Sequence, residues 1–250
     1  MPSSSHRPRK RFGQHFLHDP GVVRKIVEAI ALAPEDVVVE IGPGQGVLTL
    51  PLLERVKRLE VIEIDRDLAA ALPGDRIKVH VEDALEFDFG MFPKGVRIVG
   101  NLPYNISTPL LFHLARYADR VRDMHFMLQL EVVERMVAKP STPEYGRLSV
   151  MLQTRFMMQK LFRVGPGAFK PPPKVDSAVV RLVPLAAPLG CDEKVFEQVV
   201  REAFSARRKT LRNALSLKAE DYVALGIDPR LRPENLSPLD YVRIACCLSR

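Results

Sequence analysis

The sequence predicts a doubly wound α/β sheet followed by a small all-helical domain. Three observations carry that reading. Short β-branched runs alternate with helically spaced apolar residues over roughly the first two thirds of the chain. The first of these runs ends in a glycine loop, and the next two end in acids. Beyond Pro184, Pro188 and Gly190 the alternation stops and only helical spacing follows.

Taken in order, residues 1–12 read as a flexible basic arm, with Arg7, Arg9, Lys10 and Arg11 preceding the first acid, Asp19. Asp19-Pro20 is a helix start, with Asp19 as N-cap and Pro20 at the first helical position. Val22, Val23, Ile26, Val27 and Ile30 follow at helical spacing, and the helix stops before Pro34. Asp36 to Ile41 is a continuous β-branched run, as expected of a strand buried on both faces of a parallel sheet. It closes in Gly42-Pro43-Gly44-Gln45-Gly46, after which Val47, Leu48, Leu50, Leu52 and Leu53 resume a helical pattern. Further apolar runs cover Leu59–Ile64, Ile77–Val81, Arg97–Val99 and Met124–Leu130. Two more β-like stretches lie near Val150–Met158 and Ser177–Val183, and this last pair predicts antiparallel character at one side of the sheet. Val195–Leu217, Asp221–Leu225 and a segment from Ser237 then read as helices. Ser237, Pro238 and Asp240 supply a cap, a first-turn proline and a near capping box. The helical pattern slips near Ser205–Arg208, which suggests a helix–turn–helix corner.

Composition narrows the function classes. The chain has 250 residues, enough for one large domain and a small one, and no apolar run approaches the ~20 residues of a membrane span. The N-terminus lacks an apolar signal core, so the protein reads as cytosolic. Cys191, Cys246 and Cys247 lack metal-ligand spacing and read as reduced packing residues, and the six histidines are scattered, so no metal is expected. No long apolar surface stripe stands out, which favours a monomer. Net charge is +7, and Arg201, Arg207, Arg208, Lys209, Arg212 and Lys218 cluster with Glu202 as the one acid among them. Two separated basic segments point to a polyanion, best read as nucleic acid.

Strand, glycine loop, helix, then an acid closing the next strand is the pattern of a nucleoside-binding crevice. The glycines allow close backbone approach, and the carboxylate takes ribose hydroxyls. Glu63 sits about 20 residues beyond the loop, and Asp83 closes the following strand, where it can accept from an adenine amine. The loop reads Gly42-x-Gly44-x-Gly46, not the longer spacing that seats a pyrophosphate. With Glu40 beside it, it suits a cationic, phosphate-free nucleoside such as S-adenosylmethionine. The fourth run ends at Asn101-Leu102-Pro103-Tyr104. Pro103 holds Leu102 extended, so the loop offers an amide, a stiff carbonyl and an aromatic face. That set suits a planar base carrying an exocyclic amine, whose two N–H groups are accepted while its ring stacks.

These motifs together resemble the small-subunit ribosomal RNA adenine dimethyltransferases, the kasugamycin-resistance (KsgA) family. The resemblance runs from Phe12 to the C-terminus. It rests on Phe12–Leu17, Glu40–Gly44, Glu63–Asp65, Gly100–Ser107, Tyr145–Leu148, Phe169–Val175 and Arg207–Asn213. It implies a Rossmann-like class I S-adenosylmethionine-dependent methyltransferase domain, a mostly parallel seven-stranded sheet over 13–188, with a helical RNA-binding domain over 189–250. The implied reaction dimethylates N6 of two adjacent adenosines near the 3′ end of small-subunit (16S) rRNA, as part of subunit maturation. By similarity, His15, Leu17, Gly42, Gly44, Glu63, Asp83 and Asn101 contact the cofactor. Asn101, Leu102, Pro103, Tyr104 and Phe169 form the catalytic set, with Tyr104 and Phe169 flanking the target base. Arg147, Arg207, Arg208, Lys209 and Arg212 grip RNA. One departure is that the family commonly has Asn where this chain has His15. Rival readings are a large-subunit enzyme of the erythromycin-resistance type and an assembly factor whose main role is binding. A nicotinamide dehydrogenase is disfavoured by the loop spacing.

Overall fold

The computed structural model describes residues 15–186 and 190–249. The basic arm, Phe12 to Gln14 of the first motif, and Pro188 of the expected boundary lie outside the described residues. The chain separates into two compact units. One holds the residues up to Val133 together with Gln159–Pro184; the other holds Glu134–Met158 and the residues from Leu185 onward.

The first unit begins with β1 (Phe16–Leu17) and α1 (Pro20–Ile30), followed by β2 (Val38–Ile41), α2 (Thr49–Leu53), β3 (Leu59–Ile62), α3 (Arg66–Ala71) and β4 (Ile77–His80). The chain then returns through β5 (Val96–Asn101), α4 (Ser107–Ala115) and β6 (Val121–Gln129), and α5 (Leu130–Val137) runs on into the second unit. After α6 (Arg147–Gln153) come β7 (Phe156–Val164), β8 (Phe169–Lys170) and β9 (Ser177–Pro184). Seven strands form one sheet in the order β4-β3-β2-β5-β6-β9-β7, and β1 pairs antiparallel with β8 in a two-stranded sheet of its own. The β2–β3, β3–β4, β2–β5 and β5–β6 pairs are parallel, whereas β6–β9 is antiparallel. The fold is thus the mostly parallel, Rossmann-like seven-stranded sheet that the resemblance implies.

The order places the functional region. The chain leaves β2 toward β3 and β4, then crosses back to β5 and β6, so the winding reverses between β2 and β5. Open α/β sheets take their ligands outside the carboxyl ends of strands at such a point. All four residues of β2 are buried, as its β-branched run requires. The approach of the two strand ends depends on Gly100. A Cβ there would stand 2.6 Å from the Ile41 carbonyl oxygen.

Helix α1 packs Val23, Ile26, Val27 and Ile30 into the core beside Leu48, Leu52 and Val38. Its start is as expected: the Asp19 carboxylate accepts from the Val22 N–H at 3.0 Å, with Pro20 in the first turn. At the amino-terminal end of β5, buried Arg97 donates to Asp123 at 2.8 and 2.9 Å and to Asp36 at 2.8 Å. It also donates to the carbonyl of Ala31 at the end of α1. A guanidinium satisfied on every side can stay charged while buried, so it ties α1, β5 and β6 together.

The second unit adds α7 (Glu193–Ser205), α8 (Leu211–Ala214), α9 (Ala219–Leu225) and α10 (Pro238–Leu248). It claims residues 134–158, which the expected 13–188 span assigned to the first domain. The physical reason is a set of contacts that ties this segment to the C-terminal helices. The Tyr145 hydroxyl donates to the Leu236 carbonyl at 2.9 Å, and Ser141 N–H donates to the Glu234 carbonyl at 2.8 Å. The expected strand near Val150–Met158 is also corrected. Helix α6 runs to Gln153 and the strand begins only at Phe156. A short apolar run cannot separate buried helix from buried strand by its spacing. Here the Ser149 hydroxyl, donating to the Arg135 carbonyl, fixes the helical choice. The segment read as one helix over Val195–Leu217 is α7 and α8, broken over residues 206–210 as the register slip suggests. At α10 the capping box is complete: Ser237 Oγ accepts from Asp240 N–H at 3.2 Å and the Asp240 carboxylate accepts from Ser237 N–H at 3.0 Å. Among the described residues no helix is long and apolar enough to cross a membrane.

Candidate active site at the carboxyl ends of β2 and β5

A cavity of about 240 Å³ opens where the winding reverses. Its walls come from His15–Leu17, the glycine loop after β2, the ends of β3 and β4, and the Asn101–Ile106 loop after β5. It gathers His15, Leu17, Gly42, Gly44, Glu63, Asp83, Asn101, Leu102, Pro103 and Tyr104.

The glycine loop is built from left-handed residues: Gly42, Gly44 and Gly46 have φ of 65°, 56° and 80°. Only glycine adopts such angles freely, so the turn needs all three. The loop also holds an acid in place. Gly44 N–H donates to Glu63 Oε2 at 3.2 Å, and Asp65 N–H donates to Glu63 Oε1 at 2.9 Å. Burial raises the Glu63 pKa, and these backbone donors oppose the rise. Asp83 is fixed in its turn by accepting from Leu85 N–H at 2.9 Å.

Asn101 closes β5. Its Nδ2 donates to the His15 carbonyl at 3.2 Å. A carbonyl only accepts, so the amide orientation is set and Oδ1 is its acceptor end. Leu102 is buried, and its N–H donates to the Met127 carbonyl at 3.2 Å. The proline that follows keeps Leu102 extended. Ile106 N–H donates to the Pro103 carbonyl at 3.2 Å, and the Ser107 hydroxyl to the Tyr104 carbonyl at 3.0 Å, so the loop is a turn capped by its own helix.

Tyr104 is held from two sides. Its hydroxyl hydrogen-bonds Ser177 Oγ at 2.6 Å, and its ring stacks on His15 with centroids 5.6 Å apart. Burial raises the phenol pKa, with the Ser177 bond acting against it. His15 in turn donates from Nδ1 to the Pro171 carbonyl at 2.8 Å. The imidazole therefore joins the Asn101–Tyr104 loop to the proline segment. An amide at this position could donate the same bond but could not stack as a ring.

Phe169 is the one member of the expected catalytic set that the structure does not bring to the cavity. Its side chain is 3% exposed and sits in the core, and its backbone pairs β8 with Leu17 of β1. An aromatic beside three prolines reads equally well as base platform or core plug, and here burial makes it the plug. Two residues escaped the expected site set. Ser177 pins Tyr104 from β9, a long-range contact with no local sequence signal. Glu40, on β2, lines the cavity while 1% exposed; its place in the loop motif was the available hint.

In the helical unit, Arg208, Lys209 and Arg212 are exposed at the break between α7 and α8 and on α8. Arg147 is exposed at the first position of α6. Arg207 is committed within the fold: Nε donates to Glu234 at 2.6 Å and a terminal nitrogen to the Pro143 carbonyl at 2.8 Å.

Comparison with known proteins agrees with this geometry. Residues 5–249 match the family model for ribosomal RNA adenine dimethylase. The ribosomal RNA small subunit methyltransferase A of Thiobacillus denitrificans is 59% identical, over 98% of this chain and 99% of its own. That of Chromobacterium violaceum is 58% identical, over 97% and 96%. Among solved structures, a dimethyladenosine transferase from Plasmodium falciparum superposes with a TM-score of 0.82 at 26% identity, covering 92% of this chain and 96% of that one. The 23S rRNA methyltransferase ErmE superposes at 0.70 with 28% identity, covering 92% and 97%.

Proposed function

Since the chain belongs to the ribosomal RNA adenine dimethylase family, we propose that the cavity between β2 and β5 holds S-adenosylmethionine beside the Asn101–Tyr104 loop, where N6 of a small-subunit rRNA adenine is methylated twice. The enzyme is an S-adenosylmethionine-dependent rRNA adenine dimethyltransferase. We infer further that the targets are two adjacent adenosines near the 3′ end and that their methylation is coupled to subunit maturation in the cytoplasm.

The cavity suits this cofactor. Four acids line it, Glu40, Glu63, Glu82 and Asp83, and no lysine or arginine does so among the described residues. A phosphate-bearing dinucleotide would meet repulsion there, whereas a cationic nucleoside meets complementary charge. When bound, S-adenosylmethionine supplies a methyl group on a sulfonium that departs as a neutral thioether. Glu63, already oriented by Gly44 and Asp65, accepts from ribose hydroxyls with its remaining lone pairs. Asp83 accepts from the adenine amine of the cofactor. Leu17, Gly42 and the backbone of His15 complete the wall.

Adenine N6 is a poor nucleophile because its lone pair is delocalised into the ring. Asn101 Oδ1 and the Leu102 carbonyl accept its two hydrogens, which lets the nitrogen pyramidalise and turn the lone pair toward the methyl group. Each transfer moves the positive charge from sulfur to N6, which then releases one hydrogen as a proton to solvent. After the first transfer one N–H remains, so the second proceeds with one of these bonds lost. Tyr104 provides the stacking face; fixed by His15 and Ser177, its ring is positioned before the base arrives. Catalysis is therefore positioning together with acceptors aimed at the charge developing on nitrogen. The observation that carries this reading is the Asn101 amide, oriented by the His15 carbonyl so that its oxygen is the acceptor end.

The test supplies radiolabelled S-adenosylmethionine and small ribosomal subunits lacking N6-methylated adenine, followed by nucleoside analysis. N6,N6-dimethyladenosine confined to small-subunit RNA is the expected result. Binding to the subunit without transfer would instead support the assembly-factor reading, and label in large-subunit RNA the erythromycin-resistance type.

A further inference from the structure

We propose that Glu40 makes cofactor binding proton-linked: in the free protein its side chain is a neutral acid, and it releases that proton to become the carboxylate that the bound cation requires. The inference rests on the assignment of this cavity to S-adenosylmethionine.

Glu40 lies in the central strand β2, with Val61 and Val99 as its neighbours in β3 and β5. It is 1% exposed and lines the cavity, yet its Oε2 is shut from solvent and has no hydrogen-bond partner among the described residues. An ionised carboxylate cannot sit unpaired in such a place without a large desolvation penalty; it keeps its proton instead. The neighbouring acid is in a different position. Glu63 takes two backbone N–H groups, one on each oxygen, and so is the member of the pair equipped to hold the charge. The other titratable groups lining the cavity are His15, Glu82, Asp83 and Tyr104, and none of the described lining residues is a lysine or arginine that could neutralise Glu40. Electrostatics point the same way. Burial pushes the Glu40 carboxyl up to about 7; the Thr49 hydroxyl opposes the rise, and the charge of Glu63 adds to it.

A cationic ligand in the cavity reverses this balance. Its positive charge supplies the counterion that the fold withholds, the O–H bond of Glu40 breaks, and the proton passes to the buffer. The same logic favours the sulfonium donor: it carries one positive charge more than the thioether left after transfer.

The experiment is titration calorimetry of S-adenosylmethionine into the full-length protein and its Glu40→Gln variant, at pH 6.5, in buffers of low and high ionisation enthalpy. Comparing the two proteins cancels any titration of the ligand itself. The wild type should release about half to one proton more than the variant, and the difference should vanish by about pH 9, where Glu40 is already ionised. Equal proton release in the two proteins overturns the proposal. A second measurement needs no variant. The protonated-carboxyl band in the infrared difference spectrum of the wild type should disappear on adding S-adenosylmethionine, and its persistence would also count against Glu40. No binding heat in either protein removes the cavity assignment, whereas binding without a proton difference removes only the linkage.

Discussion

Asn101 shows how one hydrogen bond decides what an amide can do. One N–H of its amide goes to the His15 carbonyl, which fixes the side chain's orientation and makes Oδ1 its acceptor end. Replacing Asn101 with Ala should lower single-turnover methyl transfer by roughly 10²–10³-fold, the usual loss for one pre-aimed polar group. Near-normal turnover would remove Asn101 from the mechanism. Glu40 carries a prediction of a different kind, on stability against pH. Its folded pKa of about 7 lies above the value of an unfolded glutamate, so the folded state binds the proton more tightly. The stabilisation is complete below the unfolded pKa and is lost as pH rises toward and through 7. Glu40→Gln, which stays neutral throughout, should therefore melt near the wild type at pH 4.5 and above it at pH 8. The gap should be on the order of 2–3 kcal/mol, at about 1.4 kcal/mol per pH unit. Parallel melting curves across that range would mean that Glu40 ionises as readily folded as unfolded.

At the level of elements, the site is made by two strand ends that have to lie close together, and Gly100 is what allows it. A Cβ on residue 100 would press to 2.6 Å against backbone, the Ile41 carbonyl oxygen, and to 3.0 Å against Leu102. Backbone cannot swing away as a side-chain tip can. Gly100→Ala should cost about 1–3 kcal/mol in denaturant unfolding, as overpacking does, and should also weaken S-adenosylmethionine binding by separating the loops after β2 and β5. An alanine variant with unchanged stability and affinity would show that these strand ends have slack. The elements also explain what the sequence made legible. Strands buried on both faces announce themselves as continuous β-branched runs, and the left-handed turn after β2 announces itself through its glycines, so the cavity was locatable from residue order alone. The Val150–Met158 segment was not, because an apolar run of that length fits a buried helix as well as a strand. Phe169 and Ser177 depend on which strands become neighbours: β8 pairs with β1 and β9 lies beside β6. Such pairings between segments far apart in the chain leave no mark in local composition.

For the molecule as a whole, the distribution of charge carries the argument. A chain of net charge +7 lines its cavity with acids, while the helical unit exposes Arg208, Lys209 and Arg212. One charge pattern suits a small cation and the other a phosphate backbone, which fits a two-substrate reaction. Within the basic segment the residues are not equivalent. Arg207 is engaged with Glu234 and the Pro143 carbonyl, so its loss should be felt in the stability of the helical unit. Arg208 and Lys209 are the better candidates for phosphate contacts, which position RNA without reading its sequence. The Arg208→Glu, Lys209→Glu double variant should bind small-subunit rRNA more weakly. The slope of log affinity against log salt should flatten by roughly 1.4–1.8, since each of the two lost phosphate contacts removes ~0.7–0.9. Binding measured over a salt series checks this, with S-adenosylmethionine affinity as the internal control because the acids of the cavity are untouched. A salt slope equal to that of the wild type would make these cations a solvated surface and send the search for the RNA grip to Arg147 and Arg212.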